Sequence, residues 1–410
     1  MLKVLINAYA VAPNWGSEQG MAWNWISGLS EYCDLYIITE GEWRNEIEKA
    51  VAIHPNKKHL HFYYNPVPEK VRKMCWNQGD WRFYYYYRKW QKKTLEIARE
   101  ICQKEHIDIT HQLNMIGFRE PGLLWKIDGV KHVWGPIGSM GAIPIHFLND
   151  LPFKVRAKQQ LKNVITSWQI KHGNVKKALK RNDALIAALD VTRDRIKDVY
   201  CIDVPVMGET GLVPNEGHPH GECVERPIDL LWVGRFIPTK KLSIALEALA
   251  KTKQPKHFVL HVVGSGSDEE VMMYKRMAKE LNVADICKWY GKIPNDKVQE
   301  MMRTCDLFYF TSVFEGGPHV ILESIANNLP ILCFDTCGQG VVTDETIGLK
   351  VPFTTMEEGI YGFTQKLDYI DEHREILPQL SFNCTKKQQE LSWTKKIEYV
   401  MSVYNQLLYK

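Results

Sequence analysis

Two carboxylates eight positions apart, Glu315 and Glu323, flank the run Gly316-Gly317-Pro318-His319. A carboxylate is a natural acceptor for a pair of vicinal hydroxyls. One of the two could take a ribose and the other a sugar, with the amides of Gly316 and Gly317 facing phosphate between them. The competing reading is two solvated glutamates on a loop and a helix. Upstream, Gly234-Arg235 is followed by Lys240 and Lys241. Two cations beside a helix N-terminus would hold a diphosphate without metal; otherwise they are exposed loop cations. The run Gly264-Ser265-Gly266-Ser267-Asp268-Glu269 has Glu where a dinucleotide fingerprint needs its third Gly, and no acid closes the next strand. Gly264 therefore reads as a tight turn able to touch phosphate or base. The N-terminal turn Gly16-Ser17-Glu18 also lacks the fingerprint, but its small residues let backbone amides approach an anion.

Positioning these residues falls to short β-branched runs that alternate with helical patterns almost from end to end. Leu2–Ala8, Leu35–Thr39, Leu60–Tyr64, Ile107–Thr110, His132–Trp134 and Ala184–Ala187 read as strands, apolar on both faces as in a covered parallel sheet. The pattern lapses over the Gly-, Pro-, Glu- and His-rich stretch between Val204 and Asp229. It restarts with strands at Asp229–Val233, Phe258–Val263, Ile286–Tyr290, Leu307–Thr311 and Pro330–Phe334. Two successive βαβ arrays predict an α/β protein of two doubly wound, Rossmann-like domains facing across a cleft, residues 1–205 and 206–389. A C-terminal helix at about 390–410 should pack back on the first. Ligands are expected at the carboxyl ends of the strands. Asn328 before Pro330 is suited to a left-handed helix terminus.

The combination of Gly234-Arg235 with Lys240, the Glu315-x7-Glu323 pair and the Glu-Ser-Ile-Ala-Asn-Asn-Leu-Pro run that follows resembles the retaining glycosyltransferases of family GT4, which have the GT-B fold. Gly16-Ser17-Glu18, Trp23-Asn24-Trp25 and Trp134-Gly135-Pro136-Ile137-Gly138 resemble a subgroup that builds bacterial surface polysaccharides and glycolipids. The resemblance implies that Arg235 and Lys240 bind the diphosphate of a nucleotide-sugar donor. It implies that Glu323 holds the ribose and Glu315 the donor sugar, with Gly234, Gly264, Gly316 and Gly317 alongside and the Gly16 loop closing over the phosphates. It also places His111, at the end of strand Ile107–Thr110, facing the donor sugar. Three positions depart from the family: Lys241 stands in place of the Gly after the lysine, Asn328 in place of the Gly before the proline, and Ser17 in place of a second loop glycine.

No Asp-x-Asp occurs in the chain. No metal and no separate cofactor are expected, and the path expected of a retaining enzyme is same-face substitution in which the departing diphosphate takes the acceptor's proton. The acceptor is expected to be a glycan or a lipid-linked molecule. Two other functions fit the same residues: a non-catalytic nucleotide-sugar-binding partner subunit and a GT-B-fold epimerase.

Composition narrows the class. The 410 residues are 45% hydrophobic and 24% charged, with 52 Lys and Arg against 48 Asp and Glu. A net charge of +4 is too balanced for a chain whose affinity comes from neutralising phosphates along a nucleic acid. Ten scattered cysteines without a C-x-x-C argue against structural zinc or a disulfide framework. Neither a signal peptide nor an apolar run of membrane-spanning length is read, so a cytoplasmic enzyme is expected, peripheral at the inner face of the membrane. The peripheral expectation rests on two stretches. Aromatic and basic residues interleave from Met74 to Lys93, and nine Lys or Arg with no Asp or Glu lie between Leu151 and Arg181.

Overall fold

A computed structural model of the chain describes residues 1–76, 80–148, 153–215, 219–221, 226–315, 317 and 319–409. The chain forms two compact units. The first comprises Met1–Gly141, Val164–Gly211 and Trp393–Lys410; the second comprises Ala142–Asn163 and Leu212–Ser392.

Each unit is built on one six-stranded parallel sheet. In the first, β1 (Leu2–Ala8), β2 (Cys33–Thr39), β3 (Leu60–Tyr64), β4 (Ile109–Asn114), β5 (Lys131–Ile137) and β6 (Ala184–Ala187) lie in the order β3-β2-β1-β4-β5-β6. In the second, β7 (Ile228–Val233), β8 (Phe258–Val263), β9 (Cys287–Gly291), β10 (Leu307–Phe310), β11 (Ile331–Phe334) and β12 (Gly348–Val351) lie in the order β12-β11-β10-β7-β8-β9. Numbered within its own unit, each sheet has the doubly wound order 3-2-1-4-5-6. Its topological switch point falls between the first and fourth strands, where a ligand crevice opens at their carboxyl ends.

Alternation along the strands explains why both faces are covered. Val4 and Ile6 enter one core cluster with Trp25, Ile26 and Leu29, while Leu5 between them enters another with Ala98, Ile101 and Leu179. Leu230 and Trp232 face a cluster with Ile244 and Phe363, while Leu231 faces one with Ile321 and Ile325. Successive side chains point to opposite faces, so a strand buried on both sides must be apolar throughout.

The units are not cut where the sequence suggested. The second begins at Leu212 and ends at Ser392 rather than spanning 206–389, and it also includes residues 142–163. The reason is aromatic: Phe147, fully buried, stacks on Phe353 at 4.3 Å and meets Phe334 edge-on at 5.7 Å. The last helix, Trp393–Leu408, belongs to the first unit, where Ile397, Val400 and Tyr404 are buried beside Trp25.

The aromatic helix also reads differently in three dimensions. In Arg82–Glu105, Phe83, Tyr87 and Trp90 turn inward around Tyr9, with ring centroids 4.9–5.7 Å away. Of the consecutive tyrosines, Tyr84 and Tyr85 stay exposed, as does Trp81 just ahead of the helix. The stretch is therefore divided: Phe83, Tyr87 and Trp90 are core, while Trp76, Trp81, Tyr84 and Tyr85 remain at the surface.

The tightest point of the second sheet is the approach of the turns after β7 and β8. Gly264 has φ +146°, and a Cβ there would lie 1.7 Å from the Gly234 carbonyl oxygen. Only glycine accommodates both the backbone angle and the contact. Gly264→Ala is expected to cost the protein on the order of 2–4 kcal/mol, measured as a lowered denaturant midpoint with an unchanged m-value.

Candidate active site

The switch point of the second sheet gathers most of the residues singled out from the sequence. The chain leaves β7 at Gly234, whose amide donates to the Val263 carbonyl at 3.0 Å. It then turns through Arg235, which is exposed, to Lys240 and Lys241 ahead of the helix Leu242–Ala250. Lys241 takes φ +48°, the left-handed conformation that favours glycine. This accounts for the glycine usual at that position, and Lys241 occupies it with its side chain buried. Asn328 likewise takes φ +56° at the end of the helix His319–Ala326. There the Leu329 amide donates to the Ser324 carbonyl at 3.0 Å, closing the helix terminus.

Beyond β10, Thr311 and Ser312 bind the two loops together. The Thr311 hydroxyl accepts from the Trp232 indole at 3.1 Å and lies 2.9 Å from the Lys241 carbonyl and 3.1 Å from that of Lys240. The Val313 amide donates to the Thr239 carbonyl at 2.8 Å. From this scaffold Lys240 Nζ reaches Glu315 Oε1 directly, and the Ser312 hydroxyl lies 2.5 Å from the same oxygen. Lys240 also passes 5.1 Å from the centre of the Phe310 ring. Both ion-pair side chains keep only about a sixth of their surface, 16% and 15%, so their attraction is screened far less than that of a surface pair. Gln339 closes the arrangement by donating to the Ser312 carbonyl at 2.9 Å.

Glu323 sits elsewhere on this edge. It is half-buried on the helix His319–Ala326, and burial raises its carboxyl pKa against the opposing pull of His319 and a hydrogen bond from Gln299. Asn327 fixes that end of the helix, its Nδ2 donating to the Glu323 carbonyl at 2.8 Å. Gly317 is partly exposed beside Glu315, and Gly316 and Pro318 lie outside the described residues. The structure thus brings Lys240, Glu315 and Ser312 into contact and holds Glu323 through a separate set of partners.

In the first unit, Gly16 precedes the helix Ser17–Leu29. Ser17 has φ +58°, again a conformation that favours glycine. Packing is tightest at Gly20, where a Cβ would lie 1.7 Å from the Trp15 carbonyl oxygen.

His111 departs from its expected place. The strand is Ile109–Asn114 rather than Ile107–Thr110, so His111 lies inside the sheet, paired with Ile6 on one side and Val133 on the other. Its ring is fully buried, with Nδ1 2.6 Å from the Tyr404 hydroxyl and Nε2 2.7 Å from the Gly135 carbonyl. Both nitrogens are committed within the unit, so His111 is a structural residue and does not face a donor sugar.

Three residues of the cluster escaped the sequence reading. Ser312, three positions before Glu315, had a local signal, because a Ser-x-x-Glu spacing often marks a side chain reaching back. Thr311 and Gln339 had none, since their partners are distant in sequence.

Burial pushes the His111 pKa down to about 4. In the unfolded chain the ring takes its proton near pH 6.5, so between those values the unfolded state binds more protons. The His111 contribution is present above pH 6.5 and is lost as pH falls toward 4. His111→Gln is expected to lower stability at pH 7.5 and to flatten the pH dependence over this window, read from denaturant midpoints across pH. Donor binding should be unchanged, because the ring is remote from solvent.

Comparison with known proteins adds the family. Residues 218–363, within the second unit, match the family of glycosyl transferases group 1. The lipopolysaccharide 1,6-galactosyltransferase of Salmonella typhimurium is 30% identical over 34% of this chain and 37% of its own length, so the chain spans little more than a third of that relative. Among solved structures, the lipopolysaccharide outer core galactosyltransferase WaaB superposes with a TM-score of 0.63 at 15% identity, over 98% of this chain and 99% of that one. Anabaena HepE in complex with UDP superposes with a TM-score of 0.57 at 12% identity, over 98% and 100% of the two chains. The chain therefore has the two-domain GT-B fold, and residues 218–363 of its second unit are similar to the glycosyl transferases group 1.

Proposed function

We propose that the protein transfers a hexosyl group from a nucleotide-sugar to a glycan or lipid-linked acceptor, with retention at the anomeric carbon and without a metal ion. Its place would be the synthesis of surface polysaccharide or glycolipid on the cytoplasmic side of the membrane. The observation that carries this reading is the Lys240–Glu315 pair spanning the β7/β10 switch point. A cation suited to a diphosphate and a carboxylate suited to sugar hydroxyls meet where an open α/β sheet receives its ligand. The match of residues 218–363 to the group 1 glycosyl transferases supports the same class of reaction.

Without a donor the two side chains satisfy one another. A donor diphosphate offers Lys240 a doubly charged partner, and Arg235 stands exposed on the same loop to share it. Glu315 is then released toward the sugar hydroxyls while Ser312 keeps hold of its carboxylate. As the anomeric carbon–oxygen bond breaks, negative charge grows on the diphosphate and positive charge on the ring. The cations stabilise the first and Glu315 the second. The acceptor oxygen adds to the same face, and its proton passes to the departing diphosphate oxygen. Positioning and leaving-group stabilisation then supply the rate enhancement.

Because Arg235 and Lys240 serve as the electrostatic clamp in this scheme, transfer is expected to survive EDTA, assayed by release of nucleotide and product formation across UDP-, GDP- and ADP-sugars. Loss of activity that magnesium or manganese restores would sink the metal-free scheme.

The two glutamates should fail differently. Glu323, if it binds the ribose, contacts a part of the donor that does not change during reaction, so Glu323→Gln should raise donor KM by about 10- to 100-fold with little change in kcat. Glu315→Gln should lower kcat by on the order of 100-fold, because its carboxylate counters a charge present only as the bond breaks. Steady-state kinetics with donor varied at saturating acceptor reads the split. Equal KM effects with kcat intact would remove Glu315 from the reacting ring.

A further inference from the structure

A cavity of about 350 Å³ opens on the flank of the first unit, between the helix Arg82–Glu105 and residues 120–126. All of its lining belongs to that unit, and none of it enters the candidate active site of the second. Arg88, Lys92 and Arg99 line it from the helix and Lys126 from the opposite wall. At 3.6 residues per turn, positions 88, 92, 95 and 99 fall within an arc of about 60° and extend about 16 Å along the helix. Leu95, Pro121 and Leu123, all buried, give the cavity an apolar floor between its charged walls.

The two acids of the lining leave most of this charge uncompensated. Glu120 is taken by Arg88, whose Nε donates to it at 2.7 Å. Glu96 stands one turn from Lys92 but pairs at 3.1 Å with Lys93, which is not part of the lining. Lys92, Arg99 and Lys126 are exposed and have no ion-pair partner among the described residues. Three cations converging on one concavity repel one another. A dianion seated among them relieves that repulsion and accepts charge-assisted hydrogen bonds. A merely solvated helix face would interleave acids with its cations, as Lys93 and Glu96 do.

Both walls are fixed before any ligand arrives. Gln91, buried on the helix side, accepts from Asn7 at 2.9 Å and donates to the Tyr87 hydroxyl at 2.8 Å. Across from it the Trp125 indole donates to the Gly122 carbonyl at 3.1 Å. Little is left to order on binding. The volume is that of a site for one small molecule.

We infer that this cavity binds a small phosphate monoester, its phosphate held by Lys92, Arg99 and Lys126 and its ring lying over Leu95 and Leu123. The inference goes beyond the proposed reaction and does not depend on it.

Isothermal titration calorimetry of the full chain tests it, with glucose 6-phosphate and AMP as probes and glucose as the uncharged control. The parent should bind at least one of the two esters and leave glucose unbound; preference between the esters names the ring. Lys92→Glu with Arg99→Glu should weaken the ester by on the order of 100-fold, and Lys126→Glu by about 10-fold. Circular dichroism and the unfolding midpoint should stay unchanged, because all three side chains are exposed. Lys275→Glu with Lys279→Glu, exposed on the helix Asp268–Glu280, makes the same change in net charge as the double variant and should have little effect. Arg235→Ala, in the second unit, should retain the binding. Failure of both esters to bind, or equal binding of glucose and its phosphate, overturns the inference. So does a control variant as defective as the first. Binding lost in Arg235→Ala but intact in the Lys92 and Arg99 variant also overturns it, because the phosphate would then sit in the second unit.

Discussion

Reversal of strand order between β7 and β10 is the constraint on which the chemistry of the second unit depends. Neighbouring parallel strands whose connections run to opposite faces leave their carboxyl-end loops splayed, with backbone groups no ladder can satisfy. Thr311 answers part of that need. Its single hydroxyl touches the Trp232 indole and the carbonyls of Lys240 and Lys241, so the two loops become one polar network in a buried setting. Groups held in this way lose little freedom on meeting a ligand, because the fold has already ordered them. The close approach of Gly264 to Gly234 fixes the floor of the same region.

Two glutamates that look alike in sequence acquire different electrostatics from this frame. Glu315 shares one carboxylate oxygen between an ammonium and a hydroxyl. Glu323 sits against apolar surroundings with an amide donor and a histidine nearby, and burial works against its charge. The two suit different neighbours: Glu315 a cation that must later be exchanged, and Glu323, its carboxyl pKa raised by burial, neutral hydroxyl or amide groups. The division of labour lies in their surroundings, since the residue type is the same.

How far the sequence could be read follows the range of the interactions involved. Alternating βαβ patterns placed eleven of the strands, because burial on two faces makes a strand apolar throughout. Short β12, Gly348–Val351, lacked such a run and was missed. The cations after β7 and the acid after β10 were legible from their position at strand ends. His111 was misread because a shift of the strand from Ile107–Thr110 to Ile109–Asn114 moves it from the mouth of the sheet into its body. No local pattern fixes register when both faces are apolar. Thr311 and Gln339 were invisible for another reason: they act on backbone groups distant in the chain. Which rings of the aromatic run turn inward was not legible, since composition alone cannot say that Tyr9 gathers Phe83, Tyr87 and Trp90.

The route of the chain has a consequence for how the protein is made. The first unit is interrupted by the second, and Ile397, Val400 and Tyr404 complete its core only after Leu212–Ser392 has been synthesised. A ribosome adding about 5–20 residues per second needs on the order of ten seconds or more to cross that stretch. Throughout that time Trp25 and its neighbours lack their cover and the His111 ring lacks the Tyr404 hydroxyl. All strands of both sheets, Leu2–Ala187 and Ile228–Val351, precede the last helix, so the second unit can close before the first receives that cover. The order of assembly is thus opposite to the order of synthesis: the half that emerges first is finished last, and until then its apolar face is one a chaperone would recognise.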